Sequence, residues 1–97
     1  MSWTVFLRKA AEDDIDAARS RYDAERPGLG GEFLDEVATV INAVSDNPER
    51  PPIYYRGFRR ILMRRFPYKI FYLLDKPRVI VFRVLHGKQD HPRWLPK

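Results

Sequence analysis

The stretch YKIFYLLDKPRVIVFRVL, residues 68–85, decides how the chain is read. It holds two runs rich in β-branched and aromatic residues, Tyr68 to Leu74 and Val79 to Leu85. Each run has strand length, and Asp75-Lys76-Pro77-Arg78 between them has turn composition. So short a connection brings the two strands back antiparallel. The second run is the most β-prone in the chain, so it is expected to lie inside the sheet rather than at its border. Upstream, Phe58 to Phe66 (FRRILMRRF) mixes apolar and basic positions and reads as a third strand of the same meander.

Moving further toward the N-terminus, the apolar period changes from two to helical. Phe33, Leu34, Val37, Val40, Ile41 and Val44 form a broad stripe over Glu32 to Asp46. Asn47-Pro48 stops this helix, and a proline-rich loop runs on to Ile53. Before it, Ala11, Ile15, Ala18 and Tyr22 recur at intervals of four, three and four, which sets them on one helix face. Glu12, Asp13, Asp14 and Asp16 crowd the first turns and Arg19, Arg21 and Arg26 follow, as the helix dipole favours. Pro27-Gly28-Leu29-Gly30-Gly31 breaks the helical pattern, so the two helices are expected to form an antiparallel hairpin. Trp3 to Leu7 reads as an N-terminal strand. The expectation is one α+β domain over residues 1–97 in two layers: an N-terminal strand, then an antiparallel helix hairpin packed on an antiparallel β-sheet, in the order β-α-α-β-β-β.

Charge divides the chain. Residues 1–49 carry 5 Lys and Arg against 11 Asp and Glu, whereas residues 50–97 carry 13 against 2. A second half so basic points to an acidic or polyanionic partner. The chain has no cysteine, which excludes disulfides, thiolate metal sites and a cysteine nucleophile. No apolar run is long enough to span a bilayer, and no basic segment followed by an apolar one marks a secretory leader, so a cytoplasmic protein is expected.

The paired arginines Arg59, Arg60 and Arg64, Arg65 send one member to each sheet face. One member of each pair must then meet an acid, with Glu12, Asp16 and Asp35 as candidates, because an unpaired buried guanidinium is too costly. Arg83 shares a strand face with Val79 and Val81, where it is the only charge. It is expected either at the centre of an open, functional face or as a partly buried ion pair. Arg60, Lys69, His86 and Lys88 make up the set that metal-free RNA cleavage would need, with cations for the phosphate and an imidazole to move protons. His86 at a strand end also suits a capping role. Tyr54, Tyr55, Tyr68 and Tyr72 suit either base stacking or packing. His86, Asp90 and His91 are too weak a pattern for a metal site, so neither a metal nor another cofactor is expected.

Three pieces of sequence together resemble the RelE/ParE toxin superfamily of type II toxin–antitoxin systems. Pro27-Gly28-Leu29-Gly30 followed by Phe33 is similar to the inter-helix turn of ParE-like toxins. Phe66-Pro67-Tyr68-Lys69-Ile70-Phe71-Tyr72 is similar to their strand pair. Val84-Leu85-His86-Gly87-Lys88 through Arg93-Trp94 is similar to the closing motif. The resemblance implies a RelE/ParE-like fold and a growth-arresting toxin. Its partner would be a cognate antitoxin, a small DNA-binding protein with an acidic tail, in a hetero-oligomeric complex.

The ParE branch inhibits DNA gyrase, and the RelE branch cleaves messenger RNA on the ribosome. Gln89 stands where the RNA-cleaving members have a basic residue, and Leu62 where a second Lys is common. Arg93-Trp94-Leu95 replaces a C-terminal Tyr or His. These departures favour the gyrase branch, with target contact through Arg59, Arg60, Arg64, Arg65, Arg83, His86, Lys88, Arg93 and Trp94 and no catalytic residue. The alternatives are an mRNA endonuclease and a non-toxic basic binding module.

Overall fold

The computed structural model describes residues 3–89 and Leu95. Its elements run β1 (Thr4–Leu7), α1 (Lys9–Glu25), α2 (Leu29–Asp46), β2 (Ile53–Tyr55), β3 (Phe58–Leu62), β4 (Tyr68–Asp75) and β5 (Arg78–His86). The strands form one sheet in the order β1-β5-β4-β3-β2, and the helix hairpin covers one face of it. The α+β two-layer expectation holds. Among the described residues no helix is long and apolar enough to cross a membrane.

The structure corrects the expected sheet in three ways. It is mixed, because β1 lies parallel to β5, with Thr4 opposite Arg78 and Leu7 opposite Val81. The chain leaves β1 into the helix layer and does not return as a hairpin, and β1 lies at the sheet edge beside the last strand. Second, there is an extra strand, β2, which pairs antiparallel with β3. Third, β3 ends at Leu62 rather than Phe66. There the chain turns, with Met63 N–H donating to the Tyr68 carbonyl and Tyr68 N–H to the Phe66 carbonyl.

The inter-helix turn is tighter than the sequence suggests. Only Arg26 to Gly28 lie outside the helices, and Leu29, Gly30 and Gly31 already belong to α2. Gly28 takes φ 92°, a left-handed value that glycine adopts without strain. At Gly30 the two helices meet so closely that a Cβ would stand 2.6 Å from the Arg19 carbonyl oxygen. The Gly30 amide donates to Asp23 Oδ1 at 2.8 Å, which fixes the hairpin angle.

The core between helices and sheet is aromatic at one end. Tyr22, Phe33, Phe66 and Tyr68 pack with ring centroids 4.8 to 6.2 Å apart. Such pairs contribute about 0.5–1.5 kcal/mol each beyond their buried area. The glycine turn and the Phe66-Pro67-Tyr68 piece are thus neighbours in space. Toward β5, Ala11, Ile15 and Ala18 of α1 join Val79, Val81 and Val84.

The spacing of Val81 and Val84 on one face is odd for a strand, and a bulge explains it. Phe71 pairs with Arg83 while Tyr72 pairs with Val81, so β5 has one residue more than β4 at this point. The bulge lets Phe82 and Leu85 both serve the opposite face. There they form a second cluster with Phe58, Phe71 and Leu95, joined by Tyr54, Tyr55 and Leu73.

Candidate binding surface

Adjacent arginines on β3 have opposite fates. Arg59 pairs across the strands with Tyr72, whose side chain enters the helix-side core. Its guanidinium donates to the carbonyls of Glu49 and Pro51 and so ties the proline-rich loop to the sheet. Arg60 pairs with Phe71 and lies on the face away from the helices. Its guanidinium carbon stacks 3.9 Å from the centroid of Tyr54. Lys69, opposite Leu62, follows Arg60 on that face by alternation.

Arg64 and Arg65 sit in the turn after β3. Their backbone N–H groups both donate to the Glu36 carboxylate, and the Arg65 guanidinium donates to Glu32 at 2.6 Å. Hydrogen bonds from Arg65 and then Arg26 hold the Glu32 carboxyl below its ordinary pKa. The acids that meet the arginines are therefore Glu32 and Glu36 of α2, with Asp14 of α1 for Arg83, in place of Glu12, Asp16 and Asp35.

Arg83 does share the face of Val79 and Val81, but that face is the one under the helices. Its Nε and one terminal nitrogen donate to the two Asp14 oxygens at 2.7 Å each. The expectation of Arg83 at the centre of an open face is corrected. The bulge turns this residue onto α1, where the acidic first turns neutralise it.

The four residues grouped for RNA cleavage are not on one face. Arg60 and Lys69 lie on the sheet face away from the helices. His86 pairs with Tyr68, and their rings meet edge to face at 5.3 Å on the helix side. The His86 N–H donates to Gln89 Oε1 at 2.7 Å, and its Nδ1 accepts from the Lys88 amide at 3.1 Å. Gln89 thus closes the turn after β5. Asp90, His91, Arg93 and Trp94 lie outside the described residues, and so do the sites assigned to them. Among the described residues no group of three His, Cys, Asp or Glu side chains is placed to hold a metal ion.

The sheet face away from the helices is more aromatic than the arginine pattern suggested, and the centre of its cluster is buried. Arg8 stacks on Phe82 at 4.4 Å and Arg56 on Tyr55 at 5.5 Å, so cations border rings around the whole cluster. Among the described residues, no carboxylate lies within ion-pair distance of Arg60, Arg64 or Lys69. These three can receive an external carboxylate or phosphate. Sequence reasoning missed Leu62 as a surface feature. It is 59% exposed and borders a groove on each side, one lined by α2 and one by the proline loop. Its signal was an apolar residue at a position otherwise read as basic.

The comparisons agree with this architecture. The family model described as the ParE toxin of the type II toxin–antitoxin system parDE matches residues 5–91. A chain of the chromosomal ParDE toxin–antitoxin system from P. aeruginosa superposes with a TM-score of 0.78 at 14% identity, covering 87% of this chain and 95% of that one. A chain of the toxin–antitoxin complex RelBE2 from Mycobacterium tuberculosis superposes with a TM-score of 0.61 at 22% identity, covering 89% and 99%. No curated protein matches the sequence significantly. With nearly its whole length matched by that model and its fold shared with these two chains, the protein belongs to the ParE toxin family of type II toxin–antitoxin systems.

Proposed function

We propose that this toxin acts by binding, that its target is DNA gyrase, and that a cognate antitoxin with an acidic tail neutralises it in the cytoplasm. The observation that favours binding over RNA cleavage is the separation of His86 from Arg60 and Lys69 by the sheet. General acid–base cleavage needs the proton-transferring group within hydrogen-bond reach of the phosphate that the cations hold. Here the cations stand on one face and the imidazole packs on Tyr68 at the other. Arginines stacked on half-buried rings suit docking on a large assembly, where guanidinium pairs with carboxylate or phosphate. Gyrase as the target rests on membership of the ParE family.

The alternative of a ribosome-dependent mRNA endonuclease draws on Arg60 and Lys69, which can neutralise a phosphate. Expression of the protein alone under a tight promoter separates the readings. Plasmid topology and DNA breaks are scored beside 5′-end mapping of an abundant message. Relaxed or broken DNA with intact messages is the expected result. New codon-phased RNA ends with normal supercoiling would replace gyrase with the ribosome. Unimpaired growth with folded protein present would leave a non-toxic basic binding module.

A further inference from the structure

The two edges of the sheet are protected unequally. β2 is preceded by Pro51 and Pro52, and its register with β3 shifts between Ile53 and Tyr55. Prolines and bulges of this kind keep an edge from pairing with another chain. β1 at the other edge has neither. Its residues Thr4 to Leu7 carry no charge and no proline, and they run in regular register along β5.

Thr4 N–H donates to the Pro77 carbonyl and Arg8 N–H to the Val81 carbonyl, so both residues turn their peptide groups toward β5. That direction alternates along a strand, which places Phe6 with Thr4 and Arg8. The N–H and C=O of Val5 and Leu7 therefore point outward, where β1 has no second strand neighbour. These outward groups lie symmetrically on either side of Phe6. Val5 and Leu7 pack their side chains into the core under the helices, so Phe6 stands on the other face. It is 48% exposed there.

We propose that β1 is a self-association edge: a second copy of this chain pairs with it antiparallel, about a two-fold axis at Phe6, and joins the two sheets into one. Val5 of each copy then exchanges both hydrogen bonds with Leu7 of the other. The two Phe6 rings meet at a non-hydrogen-bonded position, where opposed side chains come closest. This pairing opposes no like charges within the ladder. Thr4 falls opposite Arg8, whose guanidinium is held over Phe82 of its own sheet. Trp3 falls opposite Lys9. Lys76 stands 5.7 Å from the Trp3 ring, so the pairing brings it to the start of α1 in the other copy, whose first turn carries Glu12. Among the described residues, neither Lys76 nor Glu12 has an opposite charge within ion-pair distance in its own chain. The two α1 helices begin at opposite ends of the shared ladder, which keeps their acidic first turns apart. So short a ladder makes a small interface, and the dimer is expected to dissociate on the order of 10–100 µM.

The test uses the full-length free toxin. The chain has no cysteine, so Phe6→Cys supplies one thiol per copy. Opposed non-hydrogen-bonded positions lie about 4.5 Å apart at Cα, within the span of a disulfide. Thr4→Cys is the control, because its thiols would stand about 14 Å apart along the same ladder. Both positions are exposed, and thermal melts confirm that the variants fold. Sedimentation equilibrium of the wild type and of Phe6→Lys, from about 1 µM to 1 mM, needs no cross-link. The expected result is cross-linking of Phe6→Cys at least tenfold faster than of Thr4→Cys, with a wild-type mass that rises to the dimer and a Phe6→Lys mass that stays monomeric. Cross-linking of Phe6→Cys no faster than of the control, or a wild type that is monomeric throughout, overturns the proposal. Monomeric free toxin whose Val5 and Leu7 amides become protected only on adding antitoxin also overturns it and gives the edge to that partner.

Discussion

Asp14 of α1 receives three hydrogen bonds from β5, two from the Arg83 guanidinium at 2.7 Å and one from the Val84 amide at 2.9 Å. One carboxylate therefore holds both the side chain at the bulge and the backbone just after it. The side chains of Arg83 and Asp14 are only 19% and 14% exposed, so solvent screens the pair weakly. Removing the acid leaves a guanidinium and an amide poorly solvated. Asp14→Ala is expected to cost about 2–4 kcal/mol. Replacing both partners by apolar residues, Asp14→Leu with Arg83→Met, should recover most of that loss. Urea denaturation of the single and double variants measures both. A double variant no more stable than Asp14→Ala would show that the bulge itself requires the charge pair.

Gly30 is the point at which the hairpin has no spare volume. A methyl there meets the Arg19 carbonyl at 2.6 Å and the Asp23 carboxylate at 2.7 Å, and the first of these is backbone. In an open helix Gly→Ala gains up to about 1 kcal/mol from propensity. Here the clash outweighs it, and Gly30→Ala should destabilise by about 1–3 kcal/mol. Gly31, where a methyl would meet nothing within 4 Å, is the control. Gly31→Ala should leave stability equal or slightly raised, and thermal melts of the two variants side by side decide the point.

Much of this arrangement was legible in the residues. The helices declared themselves by periodicity, and β4 and β5 by continuous apolar runs with a turn between them. Strand β2 was hidden for a physical reason. The two residues of its hairpin turn, Arg56 and Gly57, have φ values of 47° and 85°, the positive pair that usually announces itself as Asn-Gly. An arginine at the first position erased that signal. The bulge in β5 was equally silent, because Phe82-Arg83 reads as ordinary alternation. Arg83 was correctly grouped with Val79 and Val81, and of its two expected places the partly buried ion pair is the one observed. The split of Arg60 and Lys69 from His86 depends on cross-strand register, which composition does not encode.

Tyr72 links the sheet to the loop after α2. Its ring is fully buried, and its hydroxyl donates to the Pro48 carbonyl at 2.8 Å. Burial pushes its pKa from 10.0 up to about 12. A group whose folded pKa is raised contributes stability that is complete below its unfolded pKa and lost as pH rises through the folded value. The fold should therefore be insensitive to this tyrosine below about pH 10 and lose on the order of 2–3 kcal/mol between pH 10 and 12. Absorbance at the tyrosinate band, followed with circular dichroism, should show one tyrosine ionising late and together with unfolding. Tyr72→Phe should cost about 1–2 kcal/mol at neutral pH, because the Pro48 carbonyl loses its donor. It should also flatten the alkaline loss, and an unchanged alkaline profile would assign that loss to another group.

Arg59 and Arg60 are neighbours in sequence and should separate completely in experiment. Arg59 secures the carbonyls of Glu49 and Pro51, and so the whole proline-rich connection between α2 and β2. Charge-assisted bonds of this kind contribute about 1.5–3 kcal/mol, so Arg59→Ala should lower the unfolding free energy by roughly 1–2 kcal/mol after partial replacement by water. Arg60 only stacks on Tyr54 at a half-exposed position. Arg60→Ala should therefore change stability by no more than about 1 kcal/mol. If Arg60 contacts the target, the same substitution should still relieve growth arrest by an order of magnitude or more in the inducer needed. Arg60→Lys should restore arrest only in part, because an ammonium keeps the charge but not the planar paired hydrogen bonds. Folded Arg60→Ala protein that arrests growth as well as wild type would move the target contact off this face of the sheet.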